Sequence, residues 1–407
     1  MTRPADPFRV LYVLEASPRP VPAEVLGDLA GLDWLGLEVG IDSLGPPGAE
    51  WFREEADGLR RRLRGLPLDP LRPRRGAVVA HLGVAARRPL RWLHVWRHSR
   101  GDLRRFLYAG MVADRARREG FGHLHAPCTE GAAEVARDAA HLAGITYSVT
   151  ARAGVFFPEI RRSRGRRRSH DGRPGPVAAV VTETRRDAEV LGPRLPGTRV
   201  VQVPHGVGRA PSTVRSSDGP ILCVASSGEE SGLDGLLHAV ASLTDALPDV
   251  VLEIAGHDDV CEELAAVAEW LGILDHCRFV GELGPIELGE ALDRCAVLVE
   301  PGGSATWSDR EAVPAAVLHA MARAVPVVAS ATVGIAEVVV DDETGLVVPP
   351  DDSGSLAVAI EKLLREPDWA AALGRAGQHL VRERMDPARS AFLLAGLFVS
   401  CAQEGPR

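Results

Sequence analysis

Short apolar runs alternate with amphipathic stretches along nearly the whole 407-residue chain. In the first half the runs are FRVLYVLEA (8–16), LEVGIDSL (37–44), GHLHA (122–126), ITYSVTA (145–151), VAAVVTE (177–183) and TRVVQVP (198–204). In the second half they are PILCVAS (220–226), VVLEIAG (250–256), CRFVGEL (277–283), AVLVEPG (296–302) and VPVVASA (325–331). A strand covered on both faces is apolar along its length, whereas a half-exposed strand alternates. Between the runs lie helical periodicities such as LDGLLHAVASLTDAL (233–247) and DVCEELAAVAEWLG (259–272). This alternation predicts an α/β protein with parallel sheets between layers of helices.

The length favours two domains. The turn-rich stretch HGVGRAPSTVRSSDGP (205–220) is the natural break. The expected organisation is a Rossmann-like domain over 1–204, a linker over 205–219 and a second Rossmann-like domain over 220–385. The chain is expected to be helical from about 353. A last helix over 386–407, containing PARSAFLLAGLFVSCA (387–402), has an apolar face that must pack back on the body.

Charge separates the halves further. Residues 1–200 hold 34 Arg against 23 Asp and Glu, or +11. Residues 201–407 hold 13 Lys and Arg against 32 acids, or −19, giving −8 overall. A basic half suits an anionic partner, either a lipid surface or a phosphate-bearing substrate. Seven arginines crowd RRSRGRRRSHDGRPGP (161–176), so the 161–173 loop is a candidate contact with an anionic membrane. A solvated surface loop is the plain alternative. It lacks the interleaved aromatics that stack bases, so no nucleic-acid partner is expected.

No apolar run reaches the ~18 residues of a membrane span. MTRPADPFRV has no apolar segment of a secretory signal. The expected location is cytoplasmic, peripheral at the inner face of the membrane. Six scattered cysteines with no C-x2-C pair read as free thiols. No Asp-x-Asp motif is present, and His81, His94, His205, His238 and His276 read as packing, so no metal is expected.

Doubly wound sheets bind ligands at the C-terminal ends of their strands. Three such loops in the second half are ASSGEESG (225–232), EPGGSATWSDREAVP (300–314) and ATVGIAE (331–337). The first two are rich in Gly and Ser, as backbone contact with phosphate or sugar hydroxyls requires.

The ordered landmarks RVLYVLEASP, GHLHAP…GITYSVTARA, VPHGV, FVGEL and EPGG…REAVPAAVLHAMARAVPVVAS…VGIAEVVVDDETGLVVPPDD span nearly the whole chain. On these residues the chain resembles the family 4 glycosyltransferases, with a middle block like members that build bacterial exopolysaccharides. The resemblance implies a GT-B fold, two doubly wound Rossmann-like domains facing a central cleft. It implies sugar transfer with retention to a lipid-linked or polysaccharide acceptor. It implies no tightly bound cofactor, the nucleotide-diphosphate sugar being a co-substrate.

The resemblance also assigns residues. Glu311 is the first acid of the family's acidic motif and holds hydroxyls of the donor sugar; His319 occupies the place of the second acid, which grips the ribose. A carboxylate accepts from two vicinal hydroxyls, whereas a neutral imidazole accepts one hydrogen bond. Ser226 and Ser231 stand where an Arg and a Lys neutralise the diphosphate, with Glu229 and Glu230 between them. Losing two charge-assisted contacts costs about 1.5–3 kcal/mol each, unless Arg310 or the Arg209 region reaches in.

Gly232, Gly334, Ile335 and Glu337 complete the implied donor side. On the acceptor side the resemblance marks His125 and Thr150, and Arg152 replaces a His near the reacting carbon. Arg152 and Glu311 are the residues implied in catalysis. The departures at Ser226, Ser231, His319 and Arg152 support a second reading, a catalytically silent GT-B homologue serving as a partner subunit of a transferase. A sugar-nucleotide epimerase of similar fold is a third.

Overall fold

The computed structural model describes residues 8–15, 23–45, 62–66, 75–99, 102–127, 130–151, 177–208, 218–225, 232–302, 313–332 and 334–406. The chain forms two compact units, Met1–Gly206 with Pro387–Arg407 and Val207–Asp386.

The first unit contains a seven-stranded sheet. Its strands are β1 (Arg9–Leu14), β2 (Glu38–Ser43), β3 (Leu63–Gly65), β4 (His123–Pro127), β5 (Thr146–Thr150), β6 (Ala179–Thr182) and β7 (Arg199–Gln202). The order is β3-β2-β1-β4-β5-β6-β7. Every pairing is parallel. Six of these strands coincide with the apolar runs read from the sequence, β4 extending one residue past its run to Pro127. The seventh, β3, is a three-residue edge strand, too short to carry a hydrophobic pattern.

One face of this sheet is covered by helices Arg75–Arg87, Leu103–Arg118 and Glu130–Ala143. The other is covered by helix Ala23–Trp34 and the last helix, Pro387–Glu404. The chain thus returns to its first unit to supply Leu394, Leu397 and Phe398 to that core. The two covering helices cross closely, because a Cβ on Gly31 would lie 2.6 Å from the Ala391 Cβ. Ser390 donates to the Pro204 carbonyl at 2.7 Å, and Arg199 donates to Ser400 at 2.9 Å.

The second unit contains a six-stranded sheet of β8 (Ile221–Val224), β9 (Leu252–Ala255), β10 (Cys277–Phe279), β11 (Val297–Glu300), β12 (Val327–Ser330) and β13 (Leu346–Val348). The order is β10-β9-β8-β11-β12-β13, again parallel throughout. Helices Leu233–Leu243, Asp258–Trp270 and Ser353–Arg365 pack on one face. Helices Pro285–Arg294 and Ala315–Ala322 pack on the other, with Val381 of helix Pro367–Arg384. From residue 353 onward the chain is helical, interrupted at Glu366 and at Met385–Asp386. Each new helix opens with a proline, Pro367 or Pro387, which tolerates the first helical position because its missing N–H has no partner there. Both units are Rossmann-like.

Candidate functional site in the second unit

In the second sheet the chain runs outward from β8 to β9 and β10, then crosses to β11 and runs the other way. The reversal leaves a crevice at the C-terminal ends of β8 and β11, the ligand position of open α/β sheets. Three loops converge there on Pro301 and Gly302, both buried just after β11. Gly232 sits at φ +105°, and a Cβ there would lie 3.0 Å from the backbone N and C of Gly302. Only glycine meets both conditions without strain. The amide of Asp351, beyond β13, donates to the Gly302 carbonyl at 3.4 Å.

Gly232 also caps the helix Leu233–Leu243, and its carbonyl accepts from Leu236 N at 3.1 Å. The first-turn amides of this helix form a partial positive charge next to the crevice. Exposed Asp234 in the same turn works against it. Glu300, the last residue of β11 and the first of the EPGG landmark, is buried at this edge.

Thr332 is buried, its hydroxyl accepts from Ile335 N at 3.4 Å, and its carbonyl accepts from Ala336 N at 3.1 Å. Gly334 opens the one-turn 3-10 helix Ile335–Glu337. The Ile335 side chain belongs to the hydrophobic core, so only its backbone is available to a ligand. Glu337 is half-buried.

His319 lies on helix Ala315–Ala322, which Pro314 caps. His319 is only half-buried, unlike its neighbours Leu318 and Ala320. Its carbonyl accepts from Arg323 Nη1 at 3.5 Å. Glu311, Ser226, Ser231 and Arg152 fall outside the described residues, as do Glu229, Glu230, Arg209, Arg310 and the 161–173 loop. A cavity of about 610 Å³ lies at the opposite edge of this sheet, lined by Asp218, Asp249 and Arg278. Two acids against one base do not suit an anionic ligand.

In the first unit the structure brings His125 and Thr150 together, with three further residues the sequence reading had not connected. Register places His123 beside Thr146 and His125 beside Ser148. The side chains form one hydrogen-bonded line. His123 Nδ1 meets Thr146 Oγ1 at 2.7 Å, and His123 Nε2 meets Ser148 Oγ at 2.8 Å. Ser148 Oγ also meets His125 Nδ1 at 2.8 Å, and His125 Nε2 meets Thr150 Oγ1 at 3.1 Å.

All five residues are buried, and both histidines have 0% exposure. His125 is therefore not itself exposed to a ligand. Burial pushes His125 down to about 3, and burial followed by the neighbouring imidazole pushes His123 well below the ordinary histidine range. Each ring is thus neutral, with one donor and one acceptor nitrogen, which is what a line of hydroxyls can satisfy. Phe398 covers the line, its ring 5.0 Å from each imidazole.

The sequence matches known proteins chiefly in the second unit. Residues 209–380 match the family model of the glycosyl transferases group 1. A GDP-mannose-dependent alpha-(1-6)-phosphatidylinositol monomannoside mannosyltransferase of Mycolicibacterium smegmatis is 31% identical over 228 residues, 54% of this chain and 58% of that protein. An amylovoran biosynthesis glycosyltransferase of Erwinia amylovora is 31% identical over 145 residues, 35% of each chain. The chain spans about half the length of the curated relatives it matches.

Solved structures resemble the whole chain. Anabaena HepE in complex with UDP and glucose gives a TM-score of 0.67 at 16% identity, over 97% of this chain and 100% of that one. The sucrose-phosphate synthase of Thermosynechococcus elongatus gives 0.70 at 17% identity with the same coverage. At these identities the likeness speaks for the fold, which is GT-B. Among the described residues, no group of three or more His, Cys, Asp or Glu side chains could hold a metal ion, and no helix is long and apolar enough to cross a membrane.

Proposed function

We propose that the protein is a retaining glycosyltransferase of the family 4 type. It takes a sugar from a nucleotide-diphosphate sugar and passes it to a lipid-linked or polysaccharide acceptor, in exopolysaccharide or glycoconjugate synthesis. One observation carries this reading: the match over 209–380 contains the strand-order reversal between β8 and β11, where Gly232 packs on Gly302. The mannosyltransferase and glycosyltransferase relatives support it.

In this reading the donor lies on the second unit. Glu311 holds the sugar hydroxyls and His319 meets the ribose. Ser226, Ser231, Gly232, Gly334, Ile335 and Glu337 surround the diphosphate, with amides at the start of helix Leu233–Leu243 stabilising the leaving charge. The first unit takes the acceptor, with Thr150 held by His125 and with Arg152 as a donor to phosphate or carboxylate. Arg152 is always charged, so it stabilises and does not accept a proton. The nucleotide sugar is consumed and is not a resident cofactor. The basic first half works at the inner, anionic face of a membrane from the cytoplasmic side.

The substituted positions support a second reading, a silent GT-B subunit that binds a partner transferase. Thermal unfolding with UDP-, GDP- and ADP-sugars separates the two. At a hundredfold excess over Kd a bound donor adds about 2.7 kcal/mol, a shift of several degrees. If no nucleotide sugar raises the melting temperature at millimolar concentration, the transferase reading is wrong.

A further inference from the structure

Helices Arg75–Arg87 and Pro89–His98 bury one side and leave the other uncovered. Ala77, Ala80, Val84 and Val95 face the core of the first unit. The opposite side shows Val79 at 66% exposure, Leu82 at 64%, Leu90 at 82%, Leu93 at 45% and Trp96 at 48%. On each helix these residues recur at three- or four-residue spacing or lie next to one another, which places them on one face. Of fifteen exposed large apolar side chains among the described residues, seven lie between Val78 and Leu103, so the exposure is concentrated, not scattered.

The same stretch has an unusual charge. From Pro70 to Gly101 the sequence contains eight arginines and no Asp or Glu. Arg87 and Arg97 are exposed beside the apolar face. Behind it, half-buried Arg88 and Arg91 gather with a histidine cluster. His94 stacks on His98 at 4.2 Å and lies 5.3 Å from His141, whose carbonyl accepts from Arg91 at 3.1 Å. Arg88 Nη1 is buried with no hydrogen-bond partner. The small cavity lined by Arg91 and His141 includes one carboxylate, Glu404. The reading of His94 as simple packing is thus extended, because it stacks in a histidine cluster beside two arginines, a grouping the sequence did not reveal.

We propose that this face docks the first unit on an anionic phospholipid surface. Leu82, Leu90, Leu93 and Trp96 enter the boundary of headgroups and acyl chains, and the arginines meet the phosphates. An apolar helical face flanked by Arg with no acid is the chemistry of interfacial helices. A protein partner would need a complementary acidic surface with an apolar centre, whereas an anionic bilayer offers both chemistries at one boundary. The proposal deepens the membrane contact suggested above and rests on that reading, but on residues distinct from the 161–173 loop and from the donor site.

The test is co-sedimentation of the full chain with phosphatidylcholine vesicles, with and without phosphatidylglycerol, at low and raised salt. Binding is expected only to the anionic vesicles and to weaken with salt. Leu90→Ser with Trp96→Ser should weaken it at least about tenfold. Arg87→Gln and Arg97→Gln should each weaken it roughly fivefold. All these side chains are exposed, and an unchanged melting temperature with unchanged nucleotide binding certifies each variant's fold. Absence of binding by the unaltered protein, full binding by the Leu90/Trp96 variant, or complete loss on deleting only the 161–173 loop would each overturn the proposal. Vesicle binding without any nucleotide binding would remove the transferase reading and leave this one standing.

Discussion

At position 319 an imidazole stands on a helix whose adjacent side chains are all core residues, yet it keeps partial access to solvent. Its exposure fits a ligand contact, and its chemistry limits that contact to a single accepted hydrogen bond. Replacing it by the acid of the family pattern adds a charge-assisted acceptor worth about 1.5–3 kcal/mol. His319→Glu is therefore expected to tighten nucleotide binding about tenfold or more by calorimetry. Unchanged or weaker binding would remove position 319 from the donor site. Gly232 makes a different demand. With φ at +105° and the Gly302 backbone 3.0 Å from any Cβ, Gly232→Ala should destabilise the second unit by about 1–3 kcal/mol and lower its calorimetric transition accordingly. The sequence displayed Gly232 as one glycine in a rich loop. The reason for it, contact with a residue seventy positions on, needs the pairing of β8 with β11 to become visible.

Among elements, the strands were the most legible part. Each of the eleven apolar runs coincides with an observed strand, β4 ending one residue past its run, because strands buried on both faces are largely apolar. The two that escaped, β3 and β13, have three residues each, and LVV in β13 was read as part of a motif. The histidine line on β4 and β5 escaped for another reason. Residues 123 and 125, and 146, 148 and 150, alternate onto a single face by simple periodicity, but which pairs meet is fixed by register. That line makes the first unit sensitive to acid. His123 and His125 titrate below the ordinary value of about 6.5 when folded, so the unfolded chain binds protons first as pH falls. Their contribution is complete above pH ~6.5 and is lost progressively as pH falls toward their folded values. Each histidine should cost about 1.4 kcal/mol per pH unit over that range. Urea titrations of the first unit at pH 7 and pH 5 measure the difference. Equal midpoints and slopes would show that the imidazoles are already protonated or exposed.

At the scale of the whole molecule, the order of residues and the order of units differ. Charge and pattern place a boundary in the low two-hundreds, and the units divide at Gly206 and Val207. Pattern also requires a cover for the apolar face of the last helix, but two sheets are available and amphipathicity does not choose between them. The choice is made by fit: Gly31 admits Ala391, and Phe398 fills the space over His123 and His125. This has a consequence for where function resides. The residues matching the family model end at 380, before the segment Pro387–Arg407 that completes the first unit. Removing that segment strips Leu394, Leu397 and Phe398 from the first core, and large-to-small changes at such sites already cost about 2–5 kcal/mol apiece. A chain ending at Asp386 should therefore lose the first unit's unfolding transition and keep the second's. It should still be stabilised by whichever nucleotide sugar the full chain binds, while sugar transfer disappears. Loss of nucleotide stabilisation in this truncated chain would mean that the donor site depends on the first unit, and the assignment of donor binding to Val207–Asp386 alone would fail.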